Sequence, residues 1–342
     1  MDPGVPYPLG LSAPPQATQP SLIRGNVGEM LNFAVSASAG GGMSLCLFGT
    51  PDDSNTLKPM MEIALDPSIN RTGTVWHTCI PVPAAAQGFL WGWRATPLDE
   101  VNWTGGRILE DAILLDPYAQ YVAQPSIESS SSLPHAVHDV SEDASIKFSL
   151  ADGSFAFGLG HYSQQSAAFD WDEDARPQFA ADESVLYEID VRLFTGHESS
   201  CLPKEQRGTI GGVISKIDYL TELGVTTIIL SPLMAGTEAG RGPMSFFGIS
   251  QYLSASKTSE GAAEELKELV RECHKQNIEV LLDFPVTKTF DGSDEDPRCA
   301  SWRGLDPIKY YHQDGDGAIR GSNLNWRNVV NQVYKNIHVH VL

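Results

Sequence analysis

No stretch of this 342-residue chain approaches the roughly 18 to 20 consecutive apolar residues of a membrane-spanning helix, so the sequence predicts a soluble chain with no membrane partner. Basic residues are scarce: 23 Lys and Arg stand against 43 Asp and Glu, for a net charge of -20, and no basic run occurs. A nucleic acid would have to bind against that field, which argues against it as a partner. Cysteines number five (Cys46, Cys79, Cys201, Cys273, Cys299) and are never spaced as C-x-x-C. That odd, scattered set suits a reducing compartment better than a disulfide frame and suggests no zinc site. The start, Met1-Asp2-Pro3-Gly4, lacks the basic region and apolar core of a secretory signal. The expectation is therefore a non-secreted chain with no visible targeting segment. The sequons at Asn70-Arg71-Thr72 and Asn102-Trp103-Thr104 carry glycans only if the chain is secreted. Metal and cofactor signatures are missing too. Asp291, Asp294, Asp296, Asp314 and Asp316 have no closing Glu at EF-hand spacing, and His338 and His340 alternate without a third ligand. The reading is no metal and no cofactor.

What is present divides into two patterns. After a proline-rich lead-in over residues 1 to 21 come five short apolar runs: Leu31 to Ser36, Ser44 to Phe48, Met61 to Leu65, Val75 to Ile80 and Phe89 to Arg94. Gly, Pro, Asp and Ser turns separate most of them, which predicts an antiparallel sandwich. In the last run Phe89, Trp91 and Trp93 alternate with Leu90, Gly92 and Arg94, so the three aromatics share one strand face. That face is either core, the plainer reading because aromatics bury large areas, or a stacking platform for sugar rings. Trp91 and Trp93 are thus candidate ligand-binding residues. Domain boundaries follow as residues 1–123 for an all-β, immunoglobulin-like sandwich, 124–165 for a Ser-rich linker, and 166–342 for a second unit.

The second unit is organised on three strands, Val185 to Arg192, Thr226 to Pro232 and Glu279 to Phe284. Ile228 to Leu230 and Val280 to Leu282 are continuous apolar runs, as expected for parallel strands covered on both faces. Between the strands lie a helical pattern over Val213 to Leu223, closed by Gly224, and another from about Ala262 to Gln276, closed by Asn277. A β-α-β-α-β order is that of a doubly wound sheet or an opening (β/α)8 barrel. In the barrel the chemistry sits at the carboxyl ends of the strands, which directs attention to Arg192, Ser231 and Asp283. The acidic-aromatic group Phe169 to Asp174 reads as a solvated approach to the first strand, and residues 291 to 327 as a long polar loop.

Particular motifs sharpen this. Thr78 to Pro83, Gly88 to Arg94 and Leu114-Leu115-Asp116-Pro117-Tyr118-Ala119 resemble the N-terminal carbohydrate-binding (family 48) module of isoamylase debranching enzymes. Tyr187-Glu188, Val191-Arg192, Phe194-Thr195, Arg207-Gly208-Thr209, Tyr219-Leu220, Leu223-Gly224-Val225, Val280 to Asp283 and Arg303 to Asp306 resemble the opening of the glycoside hydrolase family 13 barrel in the same enzymes. The resemblance implies an α/β (TIM-type) barrel, incomplete here at about three strands, and an α-glucan as ligand. It also implies Phe247 and Asp283 as residues at the sugar site.

The departures from that family pattern are as informative. Where it has Asp-x-x-x-Asn-His after the third strand, this chain has Asp283 followed by Thr287 and Lys288 at the Asn and His positions. A long flexible cation thus replaces a two-nitrogen ring. Where the family has Tyr-Trp-Gly-Tyr, this chain has Phe246-Phe247-Gly248-Ile249, so aliphatic Ile249 stands where a ring stacks on the sugar. Retaining hydrolysis needs two carboxyl groups about 5 Å apart, which the family supplies from its fourth and fifth strands, and neither strand is recognisable before Leu342. The expectation is a truncated product with no catalytic residues, closest to the non-catalytic type-2 isoamylases of plants. By resemblance it would lie in the plastid, bind amylopectin-like or glycogen-like α-glucan and form a hetero-oligomer with a catalytic type-1 isoamylase in starch metabolism. Two alternatives remain: an α-1,6-glucan debranching hydrolase in a longer parent chain, or a product that keeps only the glucan binding of its first module.

Overall fold

The structure, a computed structural model, describes residues 3–6, 9–12, 30–37, 40–51, 54–82, 88–97, 111–125, 147–163, 169–236, 242–285, 289 and 302–312. The apolar runs of the first third become strands within the series β1 (Gly10–Ser12), β2 (Met30–Ser36), β3 (Gly40–Phe48), β4 (Pro59–Ala64), β5 (Arg71–Thr72), β6 (Val75–Pro81) and β7 (Gly88–Pro97). Four more follow: β8 (Val122–Ala123), β9 (Phe148–Ser149), β10 (Phe155–Ala156) and β11 (Leu159–Ser163). They form an antiparallel sheet β1-β2-β6-β5, another of order β4-β3-β7-β11-β8, and a small β10-β9 pair. Phe33, Val35 and Trp76 of the first sheet share one core with Leu45, Leu47, Trp91 and Trp93 of the second, which is the face-to-face packing that the alternating pattern demands.

Two sequence expectations change here. Residues 148–163 fall in the segment assigned to the Ser-rich linker, yet they supply β9 to β11, and β11 lies against β7 with Gly160 opposite Trp91. Serine richness obscured them because the apolar pairs that make these strands are only two to five residues long. The serine run itself, Ser126 to Ser145, lies outside the described residues.

The second change concerns Trp91 and Trp93, which are 1% and 0% exposed and are not a stacking platform. β7 is an inner strand between β3 and β11, and both of its faces are covered. On one face Trp91 meets Phe33 edge-on with ring centroids 5.1 Å apart and Trp93 at 6.2 Å. On the other, Leu90 joins a cluster with Phe48, Ile113 and Leu159. The Trp93 indole N–H donates to a carboxylate oxygen of Asp116 at 2.8 Å, so its polar edge is satisfied inside the core as a buried indole requires. Gly160 makes room for the other indole, since a Cβ there would lie 2.4 Å from the Trp91 ring.

The second unit is a parallel sheet of β12 (Leu186–Ile189), β13 (Thr227–Leu230) and β14 (Glu279–Leu282), with β13 in the middle. Ile189, Leu230 and Leu282 stand level across it. The first strand is shorter than the sequence suggests. Asp190 ends it by accepting backbone N–H bonds from Arg192 and Leu193 at 2.9 and 3.0 Å, an N-cap that starts α1 (Val191–Gly196). Val191 and Arg192 are therefore helical. The first crossover is likewise two short helices, α2 (Ile210–Ile214) and α3 (Ile217–Glu222). Thr209 caps α2 through Gly212 N–H. The adjacent Gly211 and Gly212 are weak helix formers, and Ser215 donates its hydroxyl back to Gly211 C=O. The helix stops there.

The second crossover is one helix, α4 (Ser259–Lys275), capped by Thr258 accepting from Gly261 N–H at 3.1 Å. It buries Ala262, Leu269 and Cys273, and Asn277 beyond it takes the left-handed φ of 57° that the sequence predicts for its stop. Burying Leu269 of this stripe contributes on the order of 1.5–3 kcal/mol. The acidic-aromatic group is not merely solvated, because it straps the outside of α4. Arg271 lies over the Phe169 ring at 5.1 Å and donates to Asp170 C=O at 2.9 Å, and His274 pairs with Asp174 at 2.8 Å.

The two units share a core. Met234, Met244 and Phe246 from the segment after β13, and Trp302, Leu305, Tyr310 and Tyr311 from the turn Trp302–Gly304 and helix α5 (Pro307–Tyr310), all join the sandwich cluster. Part of the expected polar loop at 291 to 327 is thus an apolar anchor. Lys309 Nζ donates to Ser36 Oγ at 2.6 Å, and Tyr310 OH to Ser36 C=O at 3.3 Å. Among the described residues no helix is long and apolar enough to cross a membrane.

Candidate functional site

In a (β/α) barrel the reacting groups sit where parallel strands end, and here those ends carry Asp190, Ser231 and Asp283. The ladder continues past the last strand pairs through Ser231 N–H to Ile189 C=O and Asp283 N–H to Leu230 C=O, both at 2.9 Å. Asp283 is exposed at this rim. Asp190 stands level with it but two strands away. Two inter-strand spacings separate their backbones by about 9–10 Å. Asp190 is also committed as a helix cap, with one oxygen accepting both of its N–H bonds.

Phe247 is engaged by the sandwich. Its ring stacks on Tyr118 of the sandwich at 5.9 Å and 29°. Ser245 fixes the loop by donating its hydroxyl to Ala119 C=O at 3.0 Å and accepting Phe247 N–H at 3.2 Å. Phe247, expected at the sugar site, is partly buried here and holds the two units together. Phe246 is buried edge-on against Trp302 at 5.1 Å and reaches Phe284 at 5.4 Å. Phe284, 40% exposed, is the aromatic next to Asp283. Ile249 bridges backbone with Met234 and, partly buried, packs its aliphatic chain against the core cluster that includes Leu233 and Leu253, where the resembling family offers a ring to sugar. Thr287 and Lys288 lie outside the described residues.

Three other titratable groups, Asp116, Cys46 and Cys273, are held inside the fold. Asp116 is fully buried, and burial pushes its carboxyl up to about 7 against the lowering effect of hydrogen bonds from Trp93 and from Tyr118 N–H at 2.8 Å. Burial also pushes the Cys46 and Cys273 thiols up to about 12, which keeps them protonated and unreactive. Among the described residues no three His, Cys, Asp or Glu gather in a way that could hold a metal ion.

Sequence reasoning missed the seam between the units. Val122 N–H donates to Ser259 Oγ at 2.9 Å, and the Gln251 amide makes a reciprocal pair with the Gln124 backbone at 3.1 and 2.9 Å. Tyr252 OH donates to Pro125 C=O, and His161 Nδ1 meets the Glu260 carboxylate. These residues are far apart in the chain and belong to no local pattern; the only signal was the unexplained polarity of Gln251 to Glu260.

Residues 162–315 match the sequence family described as alpha amylase, catalytic domain. The chain is 32% identical over 308 residues to isoamylase 3, chloroplastic, of Oryza sativa subsp. japonica, covering 83% of this chain and 36% of that protein. It is 30% identical over 315 residues to isoamylase 2, chloroplastic, of Arabidopsis thaliana, covering 91% of this chain and 29% of that one. The chain therefore spans about a third of the length of these relatives. Among solved structures, the catalytic module of a multi-modular glycogen-degrading pneumococcal virulence factor, SpuA, superposes with a TM-score of 0.68 at 18% identity, over 98% of this chain and 45% of that chain. That likeness is one of fold. Most of the chain is thus similar to the first third of plant isoamylases, and its second unit matches the alpha-amylase catalytic-domain family over residues 162–315.

Proposed function

We propose that this chain is a non-catalytic, α-glucan-binding isoamylase-like protein of starch or glycogen metabolism. The observation that carries the reading is the strand-end rim: among the described residues Asp283 is exposed there, while Asp190, the other carboxylate at that level, is two strands away and occupied as a cap. The core-packed Ile249 supports it, since an aliphatic group there cannot stack on a glucosyl ring. On this reading the reacting carboxylates belong to a partner, a catalytic type-1 isoamylase, and the association takes place in the plastid, the location in the names of the relatives above.

The test is to mix the purified chain with an active type-1 isoamylase. We expect co-elution in size exclusion and no reducing ends from the chain alone on amylopectin. Separate elution would remove the partner from the proposal, and hydrolysis by the chain alone would overturn the non-catalytic reading. The alternative, a debranching hydrolase whose carboxylates lie in a longer parent chain, predicts activity only when the sequence is extended.

A further inference from the structure

Four buried titratable side chains meet where the two units join, and the proposed function uses none of them. The sandwich contributes Asp116 and Tyr118, and the barrel unit contributes Asp306 and Tyr310. Tyr310 links the set: it shares a hydrogen bond with Tyr118 and lies within electrostatic reach of Asp306 and Asp116. Burial first, and these neighbours after it, raise its hydroxyl well above the ordinary tyrosine range. Burial and two hydrogen bonds set the state of Asp116, and no cation acts on it. The cations nearest in sequence are engaged elsewhere, Lys309 with Ser36 Oγ at 2.6 Å and Arg94 with Glu62 at 3.2 Å.

Asp116 also shapes the turn on which the barrel unit docks. Its carboxyl accepts Trp93 Nε1–H and Tyr118 N–H, both at 2.8 Å, and its backbone C=O accepts Ala119 N–H at 3.1 Å. The barrel unit grips this turn by side chains: Ser245 donates to Ala119 C=O at 3.0 Å, and Phe247 stacks on Tyr118 at 5.9 Å. The two sides of Asp116 therefore differ in what must give before water can reach it. On the sandwich side stands β7, paired along its length with β3 and β11. On the barrel side stand separate side-chain contacts, where local opening costs least.

We infer that this cluster is a proton-linked joint: with Asp116 protonated the two units are held as one body, and loss of that proton parts segments 242–250 and 302–312 from the sandwich turn while the strands of both units stay paired. An ionised carboxyl with no cation beside it is costly in a buried site, and parting the units hydrates it. The direction follows from the carboxyl's rise from 3.8 to about 7, caused chiefly by burial. A group raised in the closed joint contributes its stabilisation fully below 3.8 and loses it as pH rises through about 7. The joint is tightest in acid and opens toward alkaline pH, baring Phe246 and Trp302 of the shared core. The inference is independent of glucan binding and of any partner.

The experiment is amide hydrogen exchange of the full chain at about pH 5.5 and about pH 8.5, with rates corrected for intrinsic exchange and read as protection. With the carboxyl at 3.8 in the open joint and about 7 in the closed one, protection of 242–250 and 302–312 should fall about thirtyfold between those pH values. Both segments should also be less protected than β3 and β6 at either pH, as an opening short of global unfolding requires. Asp116→Asn should flatten the pH dependence. Tyr310→Phe removes the hydroxyl that bonds Ser36 C=O, and it should lower protection at both pH values while keeping the thirtyfold ratio. Segments as well protected as the strands would overturn the joint, because the units would then part only on global unfolding. A wild-type ratio near one, or a thirtyfold ratio that persists in Asp116→Asn, would overturn it as well. Should Asp116→Asn fail to fold, Tyr310→Phe decides: loss of the ratio there makes the tyrosine the titrating group and refutes the role given to Asp116.

Discussion

The Asp116 carboxyl offers a prediction with a worked sign. It is fully buried and its pKa is raised from 3.8 to about 7, chiefly by burial. Between those values the folded protein keeps a proton that the unfolded chain has released, so unfolding releases a proton and stability falls as pH rises. The contribution is fully present below pH 3.8 and is lost as pH rises through about 7. At 1.36 kcal/mol per unit, the shift corresponds to an upper figure of about 4 kcal/mol. Asp116→Asn removes the titration. It also turns an amide N–H toward one of the two donors, Trp93 Nε1–H or Tyr118 N–H, at a pH-independent cost of about 1–3 kcal/mol. Urea unfolding followed by tryptophan fluorescence from pH 4 to 8 should therefore show wild type losing stability relative to the variant as pH rises, with most of the change between pH 5 and about 7. Parallel profiles would refute the reasoning. A gap that changes in the opposite direction would mean that the two donors hold the carboxylate ionised in the folded chain.

Other consequences follow from the packing. Gly160→Ala places a methyl 2.4 Å from the Trp91 ring and should cost about 1–3 kcal/mol or more, read as a lower urea midpoint. Trp91→Ala, at a residue 1% exposed, should lower stability by about 3–5 kcal/mol without the selective loss of glucan affinity expected of a platform; measuring both on one preparation separates the two. Trp302→Ala removes a buried ring and its 3.2 Å hydrogen bond to Met244 C=O, at a cost of about 3–5 kcal/mol. It should also raise amide exchange in the 242–250 segment, and unchanged exchange there would contradict the shared core.

Much of the fold was legible because it rests on local periodicity. The five sandwich runs and the three parallel strands are apolar patterns bounded by turn residues, and α4 announces itself by a buried stripe between Thr258 and Asn277. The failures have a common physical origin, since they occur where tertiary contacts and not local pattern set the outcome. Two-residue strands such as β9 and β10 carry no period to detect. The stop of β12 depends on whether the Asp190 side chain turns back to cap, which a run of apolar letters does not reveal. Trp302 and Tyr310 sit in a polar stretch and acquire their role only because the sandwich leaves room for them. Alternation correctly put Phe89, Trp91 and Trp93 on one face, but only the strand order shows that β7 is an inner strand and that this face is core. The strand-end position of Asp283 was legible, whereas the seam was not, because its residues come together only when the two units pack.

The measurement that tests the central claim most directly is affinity electrophoresis of the full chain through amylopectin and glycogen, with reducing ends assayed on the same preparation. The account predicts retardation in both gels and no reducing ends. Unretarded migration would contradict glucan binding, and released reducing ends would contradict the non-catalytic reading and require a reacting pair of carboxylates among residues described here as structural.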